Sequence, residues 1–169
     1  INAKYIDLIA PLFENRDLIA YANPNQFVRC VAGMSMEKRK ALCHPYPNTM
    51  DKIERYGYDG KQLHHCVRLN EFLSRYMDGI PLADCYISQK KDVLMNYKKQ
   101  FTANGKNILL KEDAIGMCEA YDEATKILKD KFVSEHAEGS DPRASELLFR
   151  IQYNILKRRF KEEIEKDGE

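Results

Sequence analysis

Apolar residues recur every three or four positions along most of this chain, and that spacing decides what it can fold into. From Lys111 to Glu135, the residues Ile115, Cys118, Tyr121, Thr125, Leu128 and Phe132 fall on one side of a helix. The last segment repeats the pattern with Ala144, Leu147, Leu148, Ile151, Ile155, Phe160 and Ile164. Tyr5, Leu8, Ile9 and Leu12 do so between Ile1 and Phe13, where Pro11 softens the boundary. Alternation of the strand type is confined to Asp84–Ile87 and Lys106–Leu110. The expectation is a mainly α, bundle-like assembly of several helices with at most a short β hairpin.

Turn and cap residues divide the chain further. Asn23-Pro24-Asn25 reads as a turn, Gln26–Ala32 as a short apolar segment, and Ser35 as the cap of a helix from Met36 to Leu42. The run from Cys43 to Asn48 is expected to be extended, because each proline disfavours helix in the residue before it. Thr49 or Asn48 caps a helix from Met50 to Tyr56 that Gly57 ends, and Asp59 caps another from Gly60 to about Asp78. Ser88 reads as the cap of a helix ending near Ala103. Asp141 with Pro142 marks the start of the last helix, whose polar end from Lys161 to Glu169 is expected to fray. At 169 residues the length fits one domain, with a motif-bearing part over residues 35–103 and a helical hairpin over 111–169.

Composition narrows the function classes. No window is apolar enough for a membrane span and the first residues carry no secretory signal, so a cytoplasmic protein without a membrane partner is expected. Cys30, Cys43, Cys66, Cys85 and Cys118 are widely spaced, odd in number and free of C-x-x-C pairs, which points to reduced thiols and no zinc site. His64 and His65 are adjacent and diverge on a helix, so no histidine metal site is expected. Net charge is +1, yet residues 35–111 hold 14 basic against 8 acidic residues, and residues 112–169 hold 10 against 15. Either the tail cancels the field of the middle, or an anionic ligand meets it.

The helix after Asp59 concentrates that charge. Leu63, Cys66, Val67, Leu73, Tyr76 and Met77 form its apolar side, while Lys61, His65, Arg68, Phe72 and Arg75 fall opposite. Such a row of cations either faces solvent or stands before an anion such as phosphate. Tyr46, Tyr56, Tyr58 and Phe72 accompany it, in a manner compatible with stacking on bases.

His44-Pro45-Tyr46-Pro47, followed by Tyr56-Gly57-Tyr58-Asp59-Gly60-Lys61, His65 and Arg68-Leu69, resembles a known motif, roughly Y-G-Y-D-x-K-x-x-x-H-x-x-R-L. It occurs in predicted nucleotidyltransferases of the DNA polymerase β superfamily, in phages and bacteria, including an RNA-repair-associated lineage. The resemblance covers about Leu42 to Ile87. It implies transfer of a nucleoside monophosphate from a nucleoside triphosphate to an acceptor hydroxyl, with Mg2+ as cofactor. Lys61, His65, Arg68 and Arg75 would then bind triphosphate or acceptor phosphate, and Tyr56, Gly57, Tyr58 and Asp59 would hold the motif's shape. Such enzymes place their metal ions with a G-S motif followed by D-x-D on a strand. Here Gly139-Ser140 precedes a helix and no D-x-D follows it, so no residue of this chain is assigned as catalytic or metal-ligating. With Ile1 as first residue, the expectation is the C-terminal helical portion of a longer enzyme, inactive alone. The alternative is a non-catalytic helical module that binds nucleic acid or protein.

Overall fold

A computed structural model describes residues 5–167; the expected helix start at Ile1 and the tail residues Gly168 and Glu169 lie outside them. Among the described residues there are nine helices and no sheet, and about 75% of the structure is helical. The expected hairpin reduces to one β-bridge between Phe101 and Asn107. The contacts divide the chain into two compact units rather than the single domain expected. Among the described residues, one comprises residues 5–24 with 138–167, the other residues 25–137. The two segments read as a helical hairpin over 111–169 therefore belong to different units.

In the first unit, α1 (Ile6–Glu14) and α2 (Arg16–Ala20) meet α9 (Pro142–Asp167). Pro11 lies inside α1, and its carbonyl accepts from the Asn15 backbone N–H at 3.1 Å. Ala144, Leu147 and Ile151 of α9 are buried, whereas Phe160 and Ile164 of the same expected stripe are exposed. Arg158 grips Asp7 with two hydrogen bonds, 2.8 and 2.6 Å long, and this holds the Asp7 carboxyl below its ordinary pKa. Asp141 caps α9 as expected, its Oδ1 accepting from Arg143 N–H at 2.9 Å. Within the described residues the polar end is helical. Helix continues to Asp167, with ion pairs one turn apart, Arg159–Glu163 and Lys161–Glu165.

The second unit holds α3 (Pro24–Ala41), α4 (Met50–Tyr56), α5 (Gly60–Met77), α6 (Leu82–Cys85), α7 (Lys91–Lys99) and α8 (Lys111–Glu135). Two expectations fail at α3. Pro24 opens a helix instead of closing a turn, as its fixed φ allows at a first helical position. Ser35 lies buried in mid-helix instead of capping one. Residues 84–87 form no strand: the one-turn helix α6 takes their place, because the carbonyls that end it find donors on α5. Ser88 does accept from Lys90 N–H at 3.0 Å, but the helix begins at Lys91 and stops at Gln100, which has a left-handed φ of 68°.

Helix α5 is the centre of this unit. Leu63, Cys66 and Val67 join Leu42, Tyr58, Leu94, Ala114 and Cys118 in one buried cluster. Farther along, Phe72 and Leu73 join Val28, Val31, Cys85 and Phe132 in another. Phe72 was expected on the outer, cationic side, yet it is 6% exposed. Phe27 and Tyr86 pack against it, with ring centroids at 5.9 and 5.1 Å. The helical angle of Phe72 is as expected; what differs is that α6 and the segment after it cover that side.

Candidate functional site

The site is built from the turn that starts α5. Gly57 ends α4 in a left-handed conformation, φ 82°, and a Cβ there would lie 2.9 Å from the aliphatic stem of Lys111. Tyr58 is fully buried and its hydroxyl donates to the Leu109 carbonyl at 3.3 Å, while burial pushes its pKa up. The Asp59 backbone N–H donates to the Leu42 carbonyl at 2.8 Å. Its carboxylate accepts from Lys61 N–H and from Gln62 Nε2, both at 3.1 Å, with Lys52 Nζ at 3.6 Å. The side chain of Gln100 bridges the turn, accepting from Gly60 N–H at 3.0 Å and donating to the Tyr58 carbonyl. Asn107 Nδ2 donates to the Tyr56 carbonyl at 3.3 Å, and the Tyr56 ring stacks on Phe101. Tyr56, Gly57, Tyr58 and Gly60 are thus held by the chain between Tyr97 and Lys111, and Asp59 by Leu42, Lys52 and the first turn of α5. These residues shape the start of α5.

The cations on α5 part into two groups. Arg68 donates to the carbonyl oxygens of Cys85, at 3.2 Å, and of Tyr86, and lies 3.8 Å from the buried Glu71 carboxylate. Arg75 donates to the Asp84 carbonyl at 3.2 Å. Both guanidinium groups therefore close the C-terminal end of α6, where helix carbonyls lack intrahelical donors. The expectation that Lys61, His65, Arg68 and Arg75 present one open anion-binding face does not survive this geometry, since two of the four are held by backbone.

Lys61 and His65 have different company. Lys38 from α3, Lys61 and His64 from α5, and Lys98 from α7 all act electrostatically on His65. Burial and then the charges of His64, Lys38, Lys61 and Lys98 drive the His65 pKa from 6.5 down to about 4. His64 is lowered for the same reasons, burial first and then Lys98 and Arg68. The two imidazoles meet edge to face at 5.0 Å, and His64 Nδ1 is buried without a hydrogen-bond partner. Among the described residues, no carboxylate lies within 4.0 Å of the Lys38, Lys61 or Lys98 ammonium groups. Three helices thus place cations within electrostatic reach of His65, with no carboxylate that close to the three ammonium groups among the described residues. Lys61 was legible from its helical spacing. Lys38, His64 and Lys98 were not, because only tertiary packing brings them to it.

The donor set does not suit Mg2+. The cluster is cationic, and no group of three His, Cys, Asp or Glu side chains converges among the described residues. Ser140 accepts from Asn23 Nδ2 at 2.9 Å beside the start of α9. No step through a metal ion is derived from this chain. No family model, curated protein or solved structure matches it.

Proposed function

We propose that this chain is a helical phosphate-binding module, the part of a nucleotidyltransferase that holds the triphosphate of a nucleoside triphosphate or an acceptor phosphate. One observation carries the reading: Lys38, Lys61, His64 and Lys98 lie within electrostatic reach of His65, and among the described residues no carboxylate lies within 4.0 Å of the three ammonium groups. Like charges held together by a fold cost free energy that a bound polyanion removes. Two ammonium groups exposed at the rim, Lys61 and Lys98, supply mobile point charges for phosphate oxygens. The half-buried imidazoles are neutral at pH 7 and offer N–H donors beside them. The reaction class is supported by the Tyr56–Leu69 motif alone, and its metal ligands would come from residues outside this chain.

Calorimetric titration with inorganic tripolyphosphate and with a nucleoside triphosphate tests the reading. Binding should weaken as salt rises. Lys61→Ala and Lys98→Ala should each lose a charge-assisted contact of about 1.5–3 kcal/mol, or roughly 10- to 150-fold in affinity. Absence of binding at low salt, or affinity unchanged from that of the unaltered chain in both variants, overturns it.

A further inference from the structure

Two thiols in the core of the second unit are poised to join. The sulfur atoms of Cys66 on α5 and Cys118 on α8 lie 2.9 Å apart. Both residues are wholly buried, and both are free thiols. A disulfide needs a sulfur separation of about 2.05 Å, so closure requires roughly 0.9 Å of movement shared between two side chains. In the reduced state the pair is satisfied: Cys118 donates to Cys66, whose own thiol reaches the Ser35 carbonyl at 3.7 Å. Among the described residues no other two cysteine sulfurs are in hydrogen-bond contact. Cys30 is exposed, half-buried Cys43 packs against the same cluster within electrostatic reach of Cys118, and the Cys85 thiol donates to the Ile80 carbonyl at 3.4 Å.

We propose that Cys66 and Cys118 are an oxidation site, a dithiol that a peroxide converts to a disulfide stapling α5 to α8. One sulfur attacks a peroxide oxygen, the O–O bond breaks, and the first water leaves with the thiol proton. The second sulfur then attacks the sulfenic sulfur, the S–S bond forms, the S–O bond breaks, and a second water leaves. Two thiols and one hydrogen peroxide become one disulfide and two waters; the sulfurs give up two electrons and the peroxide takes them. The hydrogen bond to Cys66, and after it burial, hold the Cys118 pKa far above its ordinary value. The thiolate is therefore scarce and oxidation is slow at neutral pH, accelerating as pH rises. The proposal stands apart from phosphate binding and is tested without it.

The reduced chain is treated with hydrogen peroxide at pH 8, unfolded, alkylated with N-ethylmaleimide, digested and weighed. The expected result is loss of two alkylation sites of the five, with the peptides of α5 and α8 joined between Cys66 and Cys118. Dithiothreitol should restore all five. The cross-link closes a long loop, so Tm should rise by about 10 °C on oxidation. Cys66→Ala should abolish both the cross-link and the rise, while the double variant Cys30→Ser, Cys43→Ser should keep both. Five alkylated thiols after peroxide, a cross-link elsewhere, sulfinic acid at either position, or a cross-link without a rise in Tm overturns the proposal.

Discussion

Gln100, from the far end of α7, accepts a hydrogen bond from the backbone of Gly60 at 3.0 Å and so fixes where α5 begins. Replacing it by Ala leaves the Gly60 N–H and the Tyr58 carbonyl buried and unpaired, at about 1–3 kcal/mol each. Gln100→Gly loses the same bonds but relieves the left-handed φ of 68°, which costs a non-glycine residue roughly 1 kcal/mol. Urea unfolding should therefore rank the wild type above Gln100→Gly and that above Gln100→Ala. The reverse order of the two variants would show that the turn does not depend on this conformation.

Gly60 is required for space. A Cβ at this position would lie 2.2 Å from the Tyr97 carbonyl oxygen, a backbone atom that cannot swing aside. Alanine ordinarily favours a helix over glycine by about 1 kcal/mol. Here the clash wins, and Gly60→Ala should destabilise by about 2–3 kcal/mol. Equal or greater stability in denaturant would contradict the close approach of α7.

Arg68 is a structural cation. Arg68→Ala removes hydrogen bonds from a charged donor to two carbonyls, worth about 1.5–3 kcal/mol, and should expose the α6 segment to proteolysis. Arg68→Lys should recover little, because an ammonium lacks the planar fork. Tripolyphosphate affinity should stay within about twofold in a folded Arg68→Lys protein, well short of the loss expected for a direct phosphate contact. A larger loss would place Arg68 in the binding site.

His65 makes stability depend on acidity. Its pKa lies near 4 in the folded chain and at 6.5 in the reference state, so the unfolded chain binds more protons between those values. Stability should then fall as pH drops from about 6.5 to 4, and His64 adds to the same direction. His65→Gln should flatten thermal unfolding across this window. A bound polyanion counters Lys38, Lys61 and Lys98 and should raise the imidazole pKa, read as proton uptake in calorimetry in buffers of different ionisation enthalpy. An unshifted imidazole resonance on adding tripolyphosphate would separate His65 from the site.

The sequence exposed those parts of the fold whose signals are local. Gly57 and Asp59 end and begin helices where they should, and the apolar stripe of α8 is where Ile115 to Phe132 placed it. Ser35 misled because a small hydroxyl resembles a cap unless the helix before it is recognised, and that helix contains Asn25 and Gly33. Arg68 and Arg75 misled for a different reason. Helical angles say which way a side chain leaves its own helix, but not that α6 will fold across that direction and accept its hydrogen bonds. Gln100 left no trace at all: a polar residue after two lysines reads as surface, and its burial follows from the long return between α7 and α8.

Three helices lean directly on α5, and α3 shares its apolar cluster with it. Such a hub opens only when its neighbours let go together, so its amide hydrogens exchange with solvent near the rate of global unfolding of that unit. The single turn of α6, held at its end by Arg68 and Arg75, should open before that hub does. Deuterium uptake should therefore arrive in steps, first at residues 82–87 and last in the middle of α5, giving the second unit an order of disassembly written from its rim to its axis.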